Sequence, residues 1–281
     1  MTMPSKCQPT RRRAIGATLG LAAAAMAFGS IAAKADTISD IKAKGKVVIG
    51  IQGDNPPWGY VNPQGVQDGF DADIGKLFAE YLGVKAEFAP LAVADRIPAL
   101  TTGRVDVLFA TMAMLPDRAK AVQYSKPYVS NIIYLVGAKS DAIKTNADMA
   151  KVTIGVPSSS VQDTQITKNA PAGTVIRRFA NDALTIQALL SGQVQAIGGN
   201  MFYMSQLEKA KPGQFENKLE FTRLHNGACG RLGDKAMNTT LNAFIDKLKT
   251  MDAYKAAYAK WMQVPVPEFP ASVEGVPFTV N

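Results

Sequence analysis

Thr111-Met112-Ala113-Met114-Leu115-Pro116-Asp117-Arg118 is the segment whose residue types and spacing promise the most chemistry. The apolar run 105–110 feeds it, and Pro116 suits the first position of a helix. A strand running into a helix start presents unpaired backbone N–H groups and the positive end of the helix dipole, a setting that favours an anion. Arg118 falls in that first turn, where its planar fork can grip a carboxylate at two points; the competing role is a surface ion pair with Asp117. Ser158-Ser159-Ser160, ahead of Gln162-Asp163, is a second helix start with spare hydroxyls, at least one of them suited to N-capping. Trp58 and Tyr60 stand in a Pro/Gly/Asn loop, as a ligand cover or as a hydrophobic plug beneath it. For proton transfer the candidates are few: Asp54, Asp95, Asp163 and the single His225.

Strands and helices must alternate to hold these residues. Residues 46–51 read as a buried strand followed by a turn-rich loop over 52–69. Apolar residues at Ile74, Leu77, Phe78, Tyr81 and Leu82 predict a helix over 73–82, stopped by Gly83. A strand over 84–88, a short helix from Asp95 to Gly103, a strand over 105–110 and a helix over 116–122 continue the rhythm. It then restarts: Val47-Val48-Ile49-Gly50-Ile51 is echoed by Val152-Thr153-Ile154-Gly155-Val156, and residues 99–108 by residues 188–197. Two echoes in one order predict two α/β lobes, each a mostly parallel sheet flanked by helices. Ile132-Ile133-Tyr134-Leu135-Val136 and a run near 224–230 are candidate crossings between the lobes, and helices over 237–251 and 253–261 would return to the first lobe. Ligands in such sheets sit beyond the carboxyl ends of the strands, which nominates the loops 52–60, 111–118, 157–162 and 199–202.

Composition narrows the function further. A chain of 281 residues, 47% hydrophobic and 19% charged, has room for about two domains and is not wholly disordered. One His and two Cys exclude a His-rich metal centre and a structural zinc site, and nothing calls for a cofactor. The net charge of +8 is concentrated at the start. Basic residues 6–13, an uncharged Ala/Gly-rich stretch over 14–33 and Ala33-Lys34-Ala35 describe a cleavable export signal, Sec or twin-arginine in route. Residues 1–35 hold five basic residues and no acid, so their removal lowers the excess to +3, which argues against a nucleic-acid partner. Cys229 is then the only thiol. The expected mature protein is exported and monomeric.

Gly69-Phe70-Asp71-Ala72-Asp73-Ile74, Arg96-Ile97-Pro98-Ala99-Leu100, Gly103-Arg104-Val105-Asp106, and Arg118-Ala119 through Tyr124-Ser125-Lys126-Pro127-Tyr128 form one ordered set. With the closing Tyr254-Lys255-Ala256-Ala257-Tyr258-Ala259-Lys260-Trp261, it resembles the periplasmic solute-binding proteins of amino-acid ABC importers, the family 3 extracellular binding proteins. The resemblance implies a two-lobed periplasmic-binding-protein fold of type II: lobe 1 from 36–134 and 228–281, lobe 2 from 135–227, and hinge strands near 131–137 and 224–230. It implies a periplasmic protein that binds a small carboxylate-bearing solute without chemistry and serves an inner-membrane ABC permease. Arg118 and the Ala113 N–H would hold an α-carboxylate, the Thr111 carbonyl would accept from an ammonium, and Trp58 would fall near an aromatic wall. Ser160 and Val161 would face the ligand from the second lobe.

The departures from the family pattern bear on the ligand. Ala113 and Val161 stand where hydroxyl residues are usual, Val93 where an aromatic is common, and Asn55 where some members carry Tyr. Asn200 replaces an Asp that usually pairs with the α-ammonium. With its cation half depleted, the site is expected to take a carboxylate whose amine is absent, modified or held differently. The alternative is an enzyme on the same scaffold, such as a cyclohexadienyl-type dehydratase.

Overall fold

The computed structural model describes residues 37–280, so the expected export signal lies outside the described residues. Eleven strands are present among them: β1 Lys46–Gln52, β2 Asp54–Asn55, β3 Gly59–Val61, β4 Gln67–Asp68, β5 Lys85–Leu91, β6 Val107–Leu108, β7 Val122–Ala138, β8 Ile154–Pro157, β9 Ile176–Phe179, β10 Ala196–Asn200 and β11 Phe215–Arg231. The helices are α1 Thr37–Lys44, α2 Phe70–Leu82, α3 Arg96–Thr101, α4 Pro116–Ala119, α5 Val161–Asn169, α6 Asp182–Leu190, α7 Tyr203–Ala210, α8 Lys235–Leu248 and α9 Asp252–Met262.

Eight strands form one continuous sheet in the order β5-β1-β6-β11-β7-β10-β8-β9, and β2, β3 and β4 make a small sheet of their own. β1 is parallel to both β5 and β6, and β8 is parallel to both β10 and β9. Each end of the sheet is therefore a short parallel α/β unit, as the two sequence echoes predict. Between them, β7 and β11 are 17-residue strands paired antiparallel from Val122↔Arg231 to Ala138↔Phe215. The expected crossing segments near 131–137 and 224–230 both lie in this longer ribbon, on opposite halves of it, and meet at the Asn131↔Leu224 pair. Register shifts between Asn226 and Gly227, and between Gly227 and Cys229, bend it where Pro127 removes a ladder donor.

Local physics sets the differences from the expected boundaries. The helix expected from residue 73 begins at Phe70, because Gly69 turns the chain at φ 115° directly beneath Pro57 and Trp58. A Cβ at Gly69 would lie 2.7 Å from the Trp58 carbonyl oxygen. The helix expected over 116–122 is the single turn α4; Val122, Tyr124 and Tyr128 are β-formers that bury into the central ribbon instead. Gly83 ends α2 in the left-handed conformation as expected.

Packing divides along the sheet. One half buries Ile49, Phe70, Ile74, Phe78, Phe109 and Tyr128 beneath Leu241 and Phe244 of α8 and Tyr254 of α9. The other half buries Val136, Ile186, Ile197 and Tyr203 on one face and Leu135, Ile154, Val156 and Ile166 on the opposite face. A small cluster, Ala113, Ile133, Val161 and Leu224, spans the boundary, Met201 and Phe202 pack across it against the core around Trp58, and a polar cleft opens beside it. No described helix is long and apolar enough to cross a membrane.

Candidate ligand-binding cleft

The cleft is narrow and lined mostly by polar side chains, with charged groups on both of its walls. From the first half it is lined by the ends of β1 and β2 (Gln52, Asn55), by Val93 and Arg96, and by the segment after β6 (Thr111, Ala113, Arg118). From the second half come the starts of α5 and α6 (Ser160, Val161, Asp182) and the end of β10 (Asn200). All four nominated loops therefore reach it. Of the eight expected site residues, seven line one cleft: Arg118, Ala113, Thr111, Asn55, Ser160, Val161 and Asn200.

Trp58 does not. Its side chain is fully buried, edge-on to Phe70 at 6.3 Å and to Phe202 at 5.4 Å. It sits in the hydrophobic-plug position beneath the loop, with its indole Nε1 buried without a hydrogen-bond partner.

Arg118 is half used. Nη2 donates to the Ser159 carbonyl across the cleft at 3.2 Å, while Nη1 is buried without a hydrogen-bond partner. Asp117 pairs with Lys120 instead, so the competing surface ion pair is not made. Because α4 is only one turn, its dipole adds little, and the guanidinium itself is the positive feature.

Thr111 sits at φ 48° and Ser159 at φ 61°, conformations that non-glycine residues rarely adopt. Asp71 of α2 explains the first: its carboxylate accepts from the Thr111 N–H at 2.9 Å and from the Tyr128 hydroxyl at 2.7 Å. Burial raises the Asp71 carboxyl to about 6 despite those donors. The Thr111 hydroxyl donates to the Gln52 carboxamide oxygen. Its carbonyl accepts from Arg96 Nη1 at 3.3 Å, which leaves one lone pair toward the cleft. The Ala113 N–H is still available: the bridge to Asn226 is made by the Met114 N–H to the His225 carbonyl and the Gly227 N–H to the Met112 carbonyl. The Ala113 carbonyl accepts from the Tyr124 hydroxyl at 2.6 Å.

On the opposite wall Ser160 accepts from the Asp163 N–H at 3.0 Å, the N-cap role its position predicts. Asn200 donates from Nδ2 to Asn55 Oδ1 at 3.0 Å and accepts from the Phe202 N–H at 2.9 Å.

Two buried charged groups escaped the sequence reading. Arg96 is 4% exposed and donates to the carbonyls of Val93, Ala110 and Thr111; burial, with Arg118 nearby, lowers it to about 10. Asp182 opens α6 and is raised to about 6, first by burial and then by the neighbouring Asp54. Both were visible as a charge beside an apolar helical stripe, Arg96 before Ile97 and Leu100 and Asp182 before Leu184, Ile186 and Leu189, a position that aims a helix's first residue at the strand ends. By contrast, Asp54, Asp95, Asp163 and His225 do not line the cleft. His225 faces Ser130 across the central ribbon, Nδ1 to Oγ 3.0 Å, as part of the strand pairing.

Residues 47–264 match the model of the bacterial extracellular solute-binding proteins, family 3. The chain is 32% identical over 238 residues to the ABC transporter glutamine-binding protein of Bacillus subtilis (strain 168), covering 82% of this chain and 86% of that one. A crystal structure of the solute receptors for L-cysteine of Neisseria gonorrhoeae superposes with a TM-score of 0.75 at 29% identity, covering 80% of this chain and 93% of that one. An ancestral amino acid-binding protein, a precursor of cyclohexadienyl dehydratase, superposes at 0.73 with 28% identity, covering 81% and 99%. The chain belongs to the family 3 extracellular solute-binding proteins, and its role is to bind a solute, not to transform one.

Proposed function

We propose that the chain captures a small carboxylate-bearing solute, an amino acid or a derivative, between two lobes and presents it to an inner-membrane ABC permease. The lobes are residues 36–134 with 228–281 and residues 135–227, hinged near 131–137 and 224–230 on β7 and β11. The observation that carries the reading is Arg118, whose Nη1 is buried in the cleft wall without a partner while Nη2 reaches the opposite wall. A carboxylate placed there takes Nη1 and the Ala113 N–H together, both from the first half, while Arg118 itself reaches the opposite wall through Nη2. The relatives named for glutamine and L-cysteine support the amino-acid class. The extracellular family and the basic, apolar, small-residue order of residues 1–35 support a periplasmic location reached by cleavage of a signal. The reading takes the protein as a monomer.

A thermal-shift panel of the twenty amino acids, modified amino acids and small carboxylic acids tests it. A true ligand at 100 times its Kd adds about 2.7 kcal/mol, which for a chain of this size raises Tm by about 5–10 °C. No shift with any carboxylate would contradict the reading.

A further inference from the structure

A buried carboxylate without an ion-pair partner stands across the cleft from Arg118. Asp182 is 1% exposed, yet its two oxygens meet only neutral donors, the Tyr203 hydroxyl and the Gln52 carboxamide at 3.0 Å. It is not needed as a helix cap, because Asn181 fills that place by accepting from the Leu184 N–H at 2.9 Å. Arg96 is the cation that bears on it electrostatically, but Arg96 donates to backbone carbonyls and the Thr111 hydroxyl. Among the described residues, Lys and Arg form no ion pair with Asp182. Burying a carboxylate is expensive unless a cation or several donors compensate it, so an acid kept in such a place is suited to a partner that comes from outside.

Position 200 cannot serve that partner. Asn200 is neutral, and its two polar atoms already meet Asn55 and the Phe202 N–H. The Thr111 carbonyl is neutral and already accepts from Arg96 at 3.3 Å. Among the described residues, Asp182 is the only carboxylate lining the cleft, and it comes from the half of the sheet opposite the one that supplies Arg118.

We propose that Asp182, and not residue 200, receives the ammonium group of an amino-acid ligand, so that the ligand's two charges are held by opposite walls of the cleft. The sequence expectation of a ligand lacking a free amine then no longer follows, because the anionic partner has moved from the end of β10 to the start of α6. Gln52, which holds Asp182 from the first half and is itself held by Asn55 Nδ2 at 3.2 Å and the Thr111 hydroxyl, is the positioning residue that aims the carboxylate. The proposal rests on the amino-acid reading above.

The test is calorimetric titration of the mature chain with each amino acid that responds in the panel and with its counterpart lacking the amine, such as L-glutamine against glutaramic acid or L-cysteine against 3-mercaptopropionic acid. Wild type is expected to prefer the amine-bearing member at least tenfold, the loss expected from one charge-assisted contact. Asp182→Asn is expected to bring the two affinities within about threefold, while Asn200→Ala keeps the preference and Asp182→Glu restores part of it. A tenfold preference surviving in Asp182→Asn, or abolished in Asn200→Ala, overturns the proposal. Equal binding of both members by wild type overturns it while leaving the carboxylate reading standing, and binding of neither by wild type overturns both.

If Asp182→Asn is too unstable to titrate, wild type alone decides. Asp54, Tyr203 and Arg96 are the charged and titratable groups that act on Asp182. With its carboxyl at about 6, the preference for the amine-bearing member should be several-fold smaller at pH 5 than at pH 7.5, and an unchanged preference overturns the proposal.

Discussion

Arg118 and Asp71 show how much of the site is decided by single side chains. Arg118 offers one free N–H pair in a buried position, and no ammonium can reproduce its fork. Arg118→Lys should therefore weaken binding of the panel's best ligand about 10–100-fold in calorimetry, with the ligand-free Tm changed by less than about 2 °C. Asp71 acts at one remove, by holding the Thr111 N–H and so the strained turn that carries Thr111 into the cleft. Its folded-state carboxyl, like that of Asp182, stands at about 6 against 3.8 for a free Asp. Each folded-state group keeps its proton after the unfolded chain has released it. Each therefore contributes stability that is complete below about pH 4 and lost as pH rises through about 6. Saturating amino acid should oppose this trend for Asp182, because an ammonium favours the ionised form. The ligand-induced rise in Tm, followed by differential scanning calorimetry, should be larger at pH 7.5 than at pH 5. The opposite order would mean that Asp182 stays protonated in the complex.

At the scale of elements, the sequence was legible wherever a period and a stop signal agreed. β1, the body of α2 with its Gly83 stop, α8 and α9 all follow from apolar spacing. The misses share a cause in tertiary packing that local sequence does not carry. α2 starts early because Gly69 lets the chain pass under the Pro57 and Trp58 carbonyls, and no Ser or Thr marks that start. α4 stops after one turn because the residues beyond it are claimed by the central ribbon. Gly69 is thus the element-scale control on the site, since the helix it opens delivers Asp71 to Thr111. Gly69→Ala should cost about 2–4 kcal/mol in urea unfolding, through both the φ of 115° and the clash with the Trp58 carbonyl, whereas Gly65→Ala, where nothing lies nearby, should cost less than about 1.5.

The whole molecule is one sheet that changes its neighbours at a two-stranded ribbon, and its two halves touch mainly through polar contacts around the cleft. Gln52 meets Asp182, Asn55 meets Asn200 and Arg118 meets Ser159, while Asp54 accepts from the Ala183 N–H at 3.2 Å and Gln206 donates to the Pro56 carbonyl at 3.0 Å. Apolar contact between them is confined to the cluster of Ala113, Ile133, Val161 and Leu224 and to Met201 and Phe202 against the core around Trp58. The double substitution Asp54→Ala with Gln206→Ala removes two of the polar contacts without touching the cleft lining. It should raise the ligand-free radius of gyration in small-angle X-ray scattering and weaken binding several-fold, with saturating ligand returning the wild-type value. An unchanged radius would show that these contacts do not bias closure. At this scale the two-lobed plan was readable from the internal echoes, and the four cleft-forming loops from the rule for open sheets. The charge arrangement inside the cleft was not read, because a charge beside an apolar helical stripe marks a helix start without saying which cleft the fold turns it into.

The central claim is that this cleft recognises a carboxylate through Arg118 and the Ala113 N–H. Calorimetric titration of the wild-type mature chain with the panel's best ligand and with its carboxamide, identical except for the neutral head group, tests it most directly. The account predicts that the carboxamide binds at least tenfold more weakly, and that Arg118→Ala removes most of the difference. Equal affinity for the two, in wild type, would contradict it.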